Sequence, residues 1–140
     1  MLLVIDIGNT NIVLGIYRET TTGGGEGADQ GKALLHHWRI ATRVEQTGDE
    51  YGILIANLFH LARIVPEQVK GAIVASVVPP IQSALVRVLK RNFRISPLLV
   101  GPGIKTGMPI LCDNPREVGA DRIVNAVAAF DRMQQAVIVV

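Results

Sequence analysis

The sequence predicts an α/β domain. Its mixed sheet should open with three antiparallel strands in a meander, followed by strands parallel to the first, with helices on the faces. Three observations carry this expectation. Apolar residues make up 49% of the 140 positions and aromatics only 4%, an aliphatic balance that suits a sheet buried beneath helices. The chain opens directly on an apolar strand, a short polar turn and a second apolar strand, spanning residues 2–17. Downstream, near-continuous apolar runs alternate with segments whose apolar residues recur every three or four positions. The length fits one ordinary domain with a real core, and two full domains are not expected.

Charge and composition narrow the function classes. A net charge of +2 and a pI near 9.0 are too mild to imply nucleic-acid binding without a concentrated basic patch. The nearest such patch, Arg87, Lys90, Arg91 and Arg94, reads as the solvated end of a helix. The single cysteine, Cys112, excludes an internal disulfide and suits a reducing compartment. The amino terminus lacks the basic flank and cleavage site of a signal peptide. No apolar run approaches the roughly 20 residues of a membrane span. A soluble, cytoplasmic protein is expected.

After the hairpin, residues 20–31 hold five glycines and no apolar side chain larger than alanine, so they are expected to form a mobile loop between strands. A glycine-rich phosphate loop is the alternative, but the lysine and the strand-to-helix setting of a P-loop are absent. A third strand over 33–41 should pair with the second; its neighbours His36 and His37 point to opposite faces and cannot easily share a metal. Thr47-Gly48-Asp49-Glu50 leads into a helix with Ile53, Leu54, Leu58, Leu61 and Ala62 as its apolar stripe. His60 is read as a surface residue of that helix, and Pro66 ends the segment.

A strand over 69–78 is followed by Pro79-Pro80, well placed in a helix's first turn because the missing donor would be unpaired there anyway. Ile81, Leu85, Val88 and Leu89 supply the buried stripe. Ser76 stands where strand gives way to helix, an edge at which parallel-sheet proteins place ligands; a satisfied turn hydroxyl fits equally. A short strand over 98–100 is broken by Gly101-Pro102-Gly103, and residues 105–113 run extended across the surface. A helix then starts with Asn114 as N-cap, Pro115 at its first position and Glu117 completing a capping box, and continues through Ile123, Val127 and Phe130. Residues 136–140 form an apolar run with no turn and no partner after it. They are expected to begin the first strand of a second domain, so that 1–135 is an amino-terminal domain of a longer protein.

Two stretches carry chemistry. In the first, Asp6 ends a buried strand, where a carboxylate is costly unless a cation such as a hydrated metal compensates it. Gly8 lets a phosphate approach the main chain, and Asn9, Thr10 and Asn11 offer amide and hydroxyl donors. A plain hairpin with an Asx-type turn fits the same residues. In the second, Gly119 costs about 1 kcal/mol relative to alanine inside a helix, which implies a group packed against the backbone. Asp121, near the positive end of that helix, can accept a proton from a substrate hydroxyl, and Arg122 can hold an anionic group or offset charge on a transferring phosphoryl. An exposed Asp and Arg bonded to solvent are the bland alternative.

Asp6-Ile7-Gly8-Asn9-Thr10-Asn11, Ser76-Val77-Val78-Pro79, Lys105-Thr106-Gly107-Met108-Pro109 and Asn114-Pro115-Arg116-Glu117-Val118-Gly119-Ala120-Asp121-Arg122 together closely resemble the type III pantothenate kinases. These belong to the acetate kinase, sugar kinase, heat-shock chaperone and actin superfamily. The matches come in the family's order and cover nearly the whole chain. The resemblance implies a ribonuclease-H-like sheet as the first half of a two-domain, actin-like kinase, which phosphorylates the primary hydroxyl of pantothenate with ATP in the first step towards coenzyme A. On that pattern Asp6, Ile7, Gly8, Asn9, Thr10, Asn11, Ile12 and Val13 bind ATP, with Asp6 near the required Mg2+. Cys112, Gly119, Ala120, Asp121 and Arg122 meet pantothenate, and Asp121 is the proton acceptor. Cys112 stands where the family's usual tyrosine is expected, which puts substrate affinity in question.

The resemblance also implies a homodimer and a monovalent cation (K+ or NH4+) held in a second half; from apolar run length and the mild charge, neither a membrane nor a nucleic-acid partner is expected. Because ATP in this superfamily lies between the halves, the 140-residue chain alone is expected to bind nucleotide weakly and to turn over little. Two rival readings remain beside it: a transcriptional regulator of the Bvg accessory type, and a non-catalytic nucleotide-binding half.

Overall fold

The computed structural model describes residues 1–19, 32–101 and 104–139. The glycine-rich run at 20–31 and Pro102-Gly103 lie outside these residues. The elements are β1 (Leu2–Ile7), β2 (Asn11–Glu19), β3 (Lys32–Ala41), α1 (Gly48–Leu61), β4 (Gly71–Ser76), α2 (Pro79–Asn92), β5 (Leu98–Leu99) and α3 (Ala120–Met133), with short 3-10 turns at Pro66–Gln68 and Pro115–Glu117.

The strands form one five-stranded sheet in the order β3-β2-β1-β4-β5. β1, β2 and β3 pair antiparallel; β4 pairs parallel to β1 and β5 parallel to β4. This is the expected mixed sheet. Strand alternation divides β1 cleanly: Leu3, Ile5 and Ile7 are fully buried, whereas Leu2, Val4 and Asp6 stand on the opposite face, half-buried. The first set joins Ile12, Leu14 and Ile16 of β2 and Ala72 and Val74 of β4 in the main core, under α1 and α2. α3 covers the other face, where Ala120 and Ile123 bury Ala75 beside Ile73 and Val100.

α1 starts on a formed capping box. The Thr47 hydroxyl accepts the Glu50 N–H at 3.3 Å, and the Glu50 carboxylate accepts the Thr47 N–H at 2.7 Å. Its buried face differs from the expected stripe. Tyr51, Ile55 and Phe59 are buried, while Ile53 is 63% and Leu61 78% exposed. Apolar residues stand on both sides of this helix, so spacing alone fitted two faces. Aromatic packing decides between them, because Phe59 sits between Trp38 of β3, at 6.3 Å, and Phe93 just beyond α2, at 5.6 Å. α2 follows the expectation, with Ile81, Leu85, Val88 and Leu89 buried.

The second helix start is corrected. Asn114 does not cap a continuous helix; its amide bonds the Glu117 carboxylate, and Glu117 N–H reaches Asn114 C=O at 3.0 Å, closing a 3-10 turn. Val118 then extends (φ −72°, ψ 118°) to pack into the α3-side core, and the α-helix begins only at Ala120 with Gly119 as N-cap. At the carboxyl end, Val137, Ile138 and Val139 are exposed and form no strand.

Candidate active site

β1 and β4 run parallel, so their carboxyl ends lie side by side: Asp6 is level with Ala75, and Ile7 with Ser76. On its other flank Asp6 is level with Val13 of β2. α3 reaches this spot because its first turn buries Ala75, the neighbour of Asp6. Gly119 lies against Val77, where an added Cβ would stand 3.6 Å from the Val77 side chain. The sheet edge outside the carboxyl ends of parallel strands is therefore faced by the amino terminus of α3, an arrangement in which ligands bind in the crevice.

Asp6 and Asp121 meet across this crevice. One Asp6 oxygen, Oδ1, is buried and has no hydrogen-bond partner among the described residues. Burial pushes the Asp6 carboxyl above its ordinary value, and the charge of Asp121 pushes it further. Asp121 sits in the first turn of α3, where the helix's positive end favours an anion, and its Oδ1 accepts the Arg122 N–H at 2.9 Å. Gly119 is needed for this placement, since a Cβ there would run into the Asp121 carboxylate. The close neighbour implied by that glycine is thus Asp121 itself, with Val77, and the interior-helix cost does not arise.

The turn between β1 and β2 has a consistent polarity. Gly8 N–H donates to Asn11 C=O at 3.0 Å, Thr42 N–H to Thr10 C=O at 2.9 Å, and the Thr42 hydroxyl to Gly8 C=O at 2.7 Å. Three of the turn's carbonyls are thereby occupied. The N–H groups of Asn9 and Thr10, and the side chains of Asn9, Thr10 and Asn11, bond to nothing among the described residues. Asn9 and Thr10 are exposed. On the main chain of the bend, among the described residues, two free N–H groups stand against one free carbonyl, that of Asn9, a balance that favours anions.

The other expected site residues are distributed less uniformly. Ile7 and Ile12 are wholly buried in the main core, so only their main chains can face a ligand; Val13 lies on the Asp6 side of the sheet. Ala120 is buried beneath α3, Arg122 is exposed beside Asp121, and Cys112 is exposed in the preceding loop. Ser76 is a turn group, its Oγ accepting Val78 N–H at 3.0 Å. Thr42 and Tyr51 were missed in the sequence. Thr42 is marked in the sequence only as a polar residue just after β3, and Tyr51 only as an aromatic in α1; neither position reveals what the side chain touches.

Among the described residues no group of three or more His, Cys, Asp or Glu is arranged to hold a metal. A cation held at this edge would have the Asp6 carboxylate as its protein ligand, with water and phosphate oxygens making up the rest. That donor set suits Mg2+, and the orphaned Oδ1 fits it. No helix among the described residues is long and apolar enough to cross a membrane. The basic residues Arg87, Lys90 and Arg91 line a groove of about 560 Å³ on the α1–α2 side, away from Asp6, and Arg91 is paired with Asp49 of α1.

The chain is 53% identical over 140 residues to type III pantothenate kinases of Myxococcus xanthus and Geobacter sulfurreducens, and 50% identical to that of Syntrophus aciditrophicus. All of this chain is covered in each case, and it spans about 50% of the length of these relatives. Among solved structures it is similar in outline to RuvC of Thermus thermophilus, with 15% identity and a TM-score of 0.45 over 95% of this chain and 96% of that one. The sequence model of the type III pantothenate kinases matches residues 2–140, and the chain belongs to that family.

Proposed function

We propose that this chain is the amino-terminal half of an enzyme that transfers the terminal phosphate of ATP to the primary hydroxyl of pantothenate. The observation that carries the reading is the seating of α3 over Ala75, the neighbour of Asp6, which brings Asp121 of its first turn to the carboxyl ends of β1 and β4. Phosphoryl transfer needs chiefly positioning and charge neutralisation. A donor-rich turn facing a helix-borne carboxylate supplies the protein's share of both. Asn9 and Thr10 present free N–H groups to the phosphates. Asp6 holds a hydrated Mg2+, which when bound neutralises phosphate charge.

Asp121 accepts the proton of the attacking hydroxyl as the new oxygen–phosphorus bond forms and the bond to the departing ADP breaks. Gly119, Ala120 and Arg122 line the alcohol's side, with Arg122 available to a carboxylate such as that of pantothenate. In this reading a second half, beginning near residue 136, closes over the nucleotide and holds the monovalent cation. The whole enzyme is a cytoplasmic homodimer.

Calorimetry of the chain with Mg-ATP, with and without pantothenate, tests the proposal. Weak nucleotide binding that Asp6→Asn abolishes is expected. In a protein extended to the relatives' length, Asp121→Asn should abolish transfer while sparing the fold, and retained transfer would remove its role as base. Salt-sensitive DNA binding in place of nucleotide binding would favour the regulator reading.

A further inference from the structure

We propose that Thr42 is a positioning residue that sets the polarity of the Gly8–Asn11 turn, turning its carbonyls inward so that its N–H groups are the ones offered to phosphate. The inference rests on the reading of that turn as a phosphate site. Thr42 is the first residue after β3, which is two strands away from β1 in the sheet order. It reaches the turn twice: its N–H donates to Thr10 C=O at 2.9 Å, and its half-buried hydroxyl donates to Gly8 C=O at 2.7 Å. With Gly8 N–H on Asn11 C=O, three of the turn's four carbonyls, those of Gly8, Thr10 and Asn11, are engaged; the Asn9 and Thr10 N–H groups are left free among the described residues, against the single free carbonyl of Asn9.

A four-residue turn with mobile peptide planes presents carbonyl oxygens as readily as amides, and a carbonyl turned outward repels a phosphate. Fixing the planes removes that competition before the ligand arrives. Thr42 is itself fixed from behind. The next residue, Arg43, is held by the hydroxyl of Tyr51, which accepts Arg43 N–H at 3.1 Å and donates to Arg43 C=O at 3.0 Å. Tyr51 is completely buried in α1. Rigidity of the main core is thereby passed through Tyr51, Arg43 and Thr42 to a turn that is itself largely exposed.

Thr42→Val tests this with little change of shape, because it deletes the hydroxyl bond and keeps the Thr42 N–H bond to Thr10. The readouts, on the 140-residue chain labelled with nitrogen-15, are hydrogen exchange at the Gly8 amide and the shift of the Gly8–Asn11 amides on titration with Mg-ATP. Exchange at Gly8 should quicken, and Mg-ATP affinity fall, by about tenfold each, the scale of one hydrogen bond. Thr42→Ser, which restores the hydroxyl, should return both towards the parent. Should the valine variant fail to fold, Thr42→Ala serves in its place.

Unchanged exchange or unchanged affinity in Thr42→Val overturns the proposal, and so does a serine variant as impaired as the valine one. If Mg-ATP moves none of the turn amides in the parent chain, the phosphate reading fails instead. The exchange data would then still decide whether Thr42 orders the turn.

Discussion

Replacing Asp6 by Asn should make the domain more stable at neutral pH while removing its response to magnesium. Asp6 Oδ1 is buried without a donor, and both its burial and the nearby Asp121 hold its proton affinity above the ordinary value of 3.8. The folded state therefore binds the Asp6 proton more tightly than the unfolded chain does. Stability from this group is fully present below the unfolded value and is lost as pH rises through the folded one. At about pH 7 the ionised carboxylate is a net cost.

Asn keeps the Oδ1 acceptor but carries no charge, so the gain is the charge part of the burial cost, on the scale of the about 1–3 kcal/mol of an unsatisfied buried group. Asp6 is only half-buried, so solvent screening keeps the figure near the low end, at about 1 kcal/mol. For a domain of this size that is a rise in Tm of about 4 °C. Asp121→Asn removes only the lesser of the two causes and should give a smaller rise. The double variant should fall short of the sum, because the repulsion can be relieved only once. Thermal melts across the acid-to-neutral range, with and without Mg2+, measure all of this. Magnesium should raise the parent's Tm and leave Asp6→Asn unmoved. A destabilised Asp6→Asn at neutral pH, or strict additivity with Asp121→Asn, would refute the reasoning.

Other expectations follow from the same coordinates. Phe59→Ala should cost about 3–5 kcal/mol in denaturant titrations, because Phe59 is 1% exposed between Trp38 and Phe93. Ile53→Ala, on the exposed side of the same helix, should stay within about 0.5 kcal/mol, and reversal of the two would mean that α1 is turned the other way. Tyr51→Phe should cost about 1–2 kcal/mol by deleting both bonds to Arg43, and an unchanged denaturation midpoint would show them to be dispensable. Glu50 is held below its ordinary value of 4.5, first by the Thr47 N–H it accepts and then by the Thr47 hydroxyl. The advantage of the parent over Glu50→Gln should therefore be present above that value and vanish as pH falls through the folded one; an advantage independent of pH would exclude the charge as its source. Gly119→Ala should weaken substrate binding in the full-length enzyme more than it lowers stability, since the added methyl displaces the Asp121 carboxylate; normal kinetics would contradict this.

Much of the fold was legible because local rules sufficed. Alternating aliphatic residues around a polar bend determine the β1–β2 hairpin, Thr47 and Glu50 write the start of α1, and Pro79-Pro80 can only stop a strand and open a helix. The local patterns failed where two buried surfaces competed for one segment. Asn114 and Glu117 do bond to each other, yet they close only a 3-10 turn; Val118 then runs extended, half-buried against the α3-side core, and the helix starts at Ala120. The spacing in α1 fitted two faces, and ring packing against Trp38 and Phe93 selected Phe59 over Ile53.

The candidate site divides in the same way. Residue types alone marked Asp6 and Asp121 as carboxylates with chemical promise. Their meeting depends on β4 pairing parallel to β1 and on α3 lying over Ala75, which are contacts between segments far apart in the chain. The hold of Thr42 on Gly8, across 34 positions, is of that kind too. A hydrogen bond of such separation leaves no periodic trace, because its partners are chosen by the sheet and not by their neighbours in sequence.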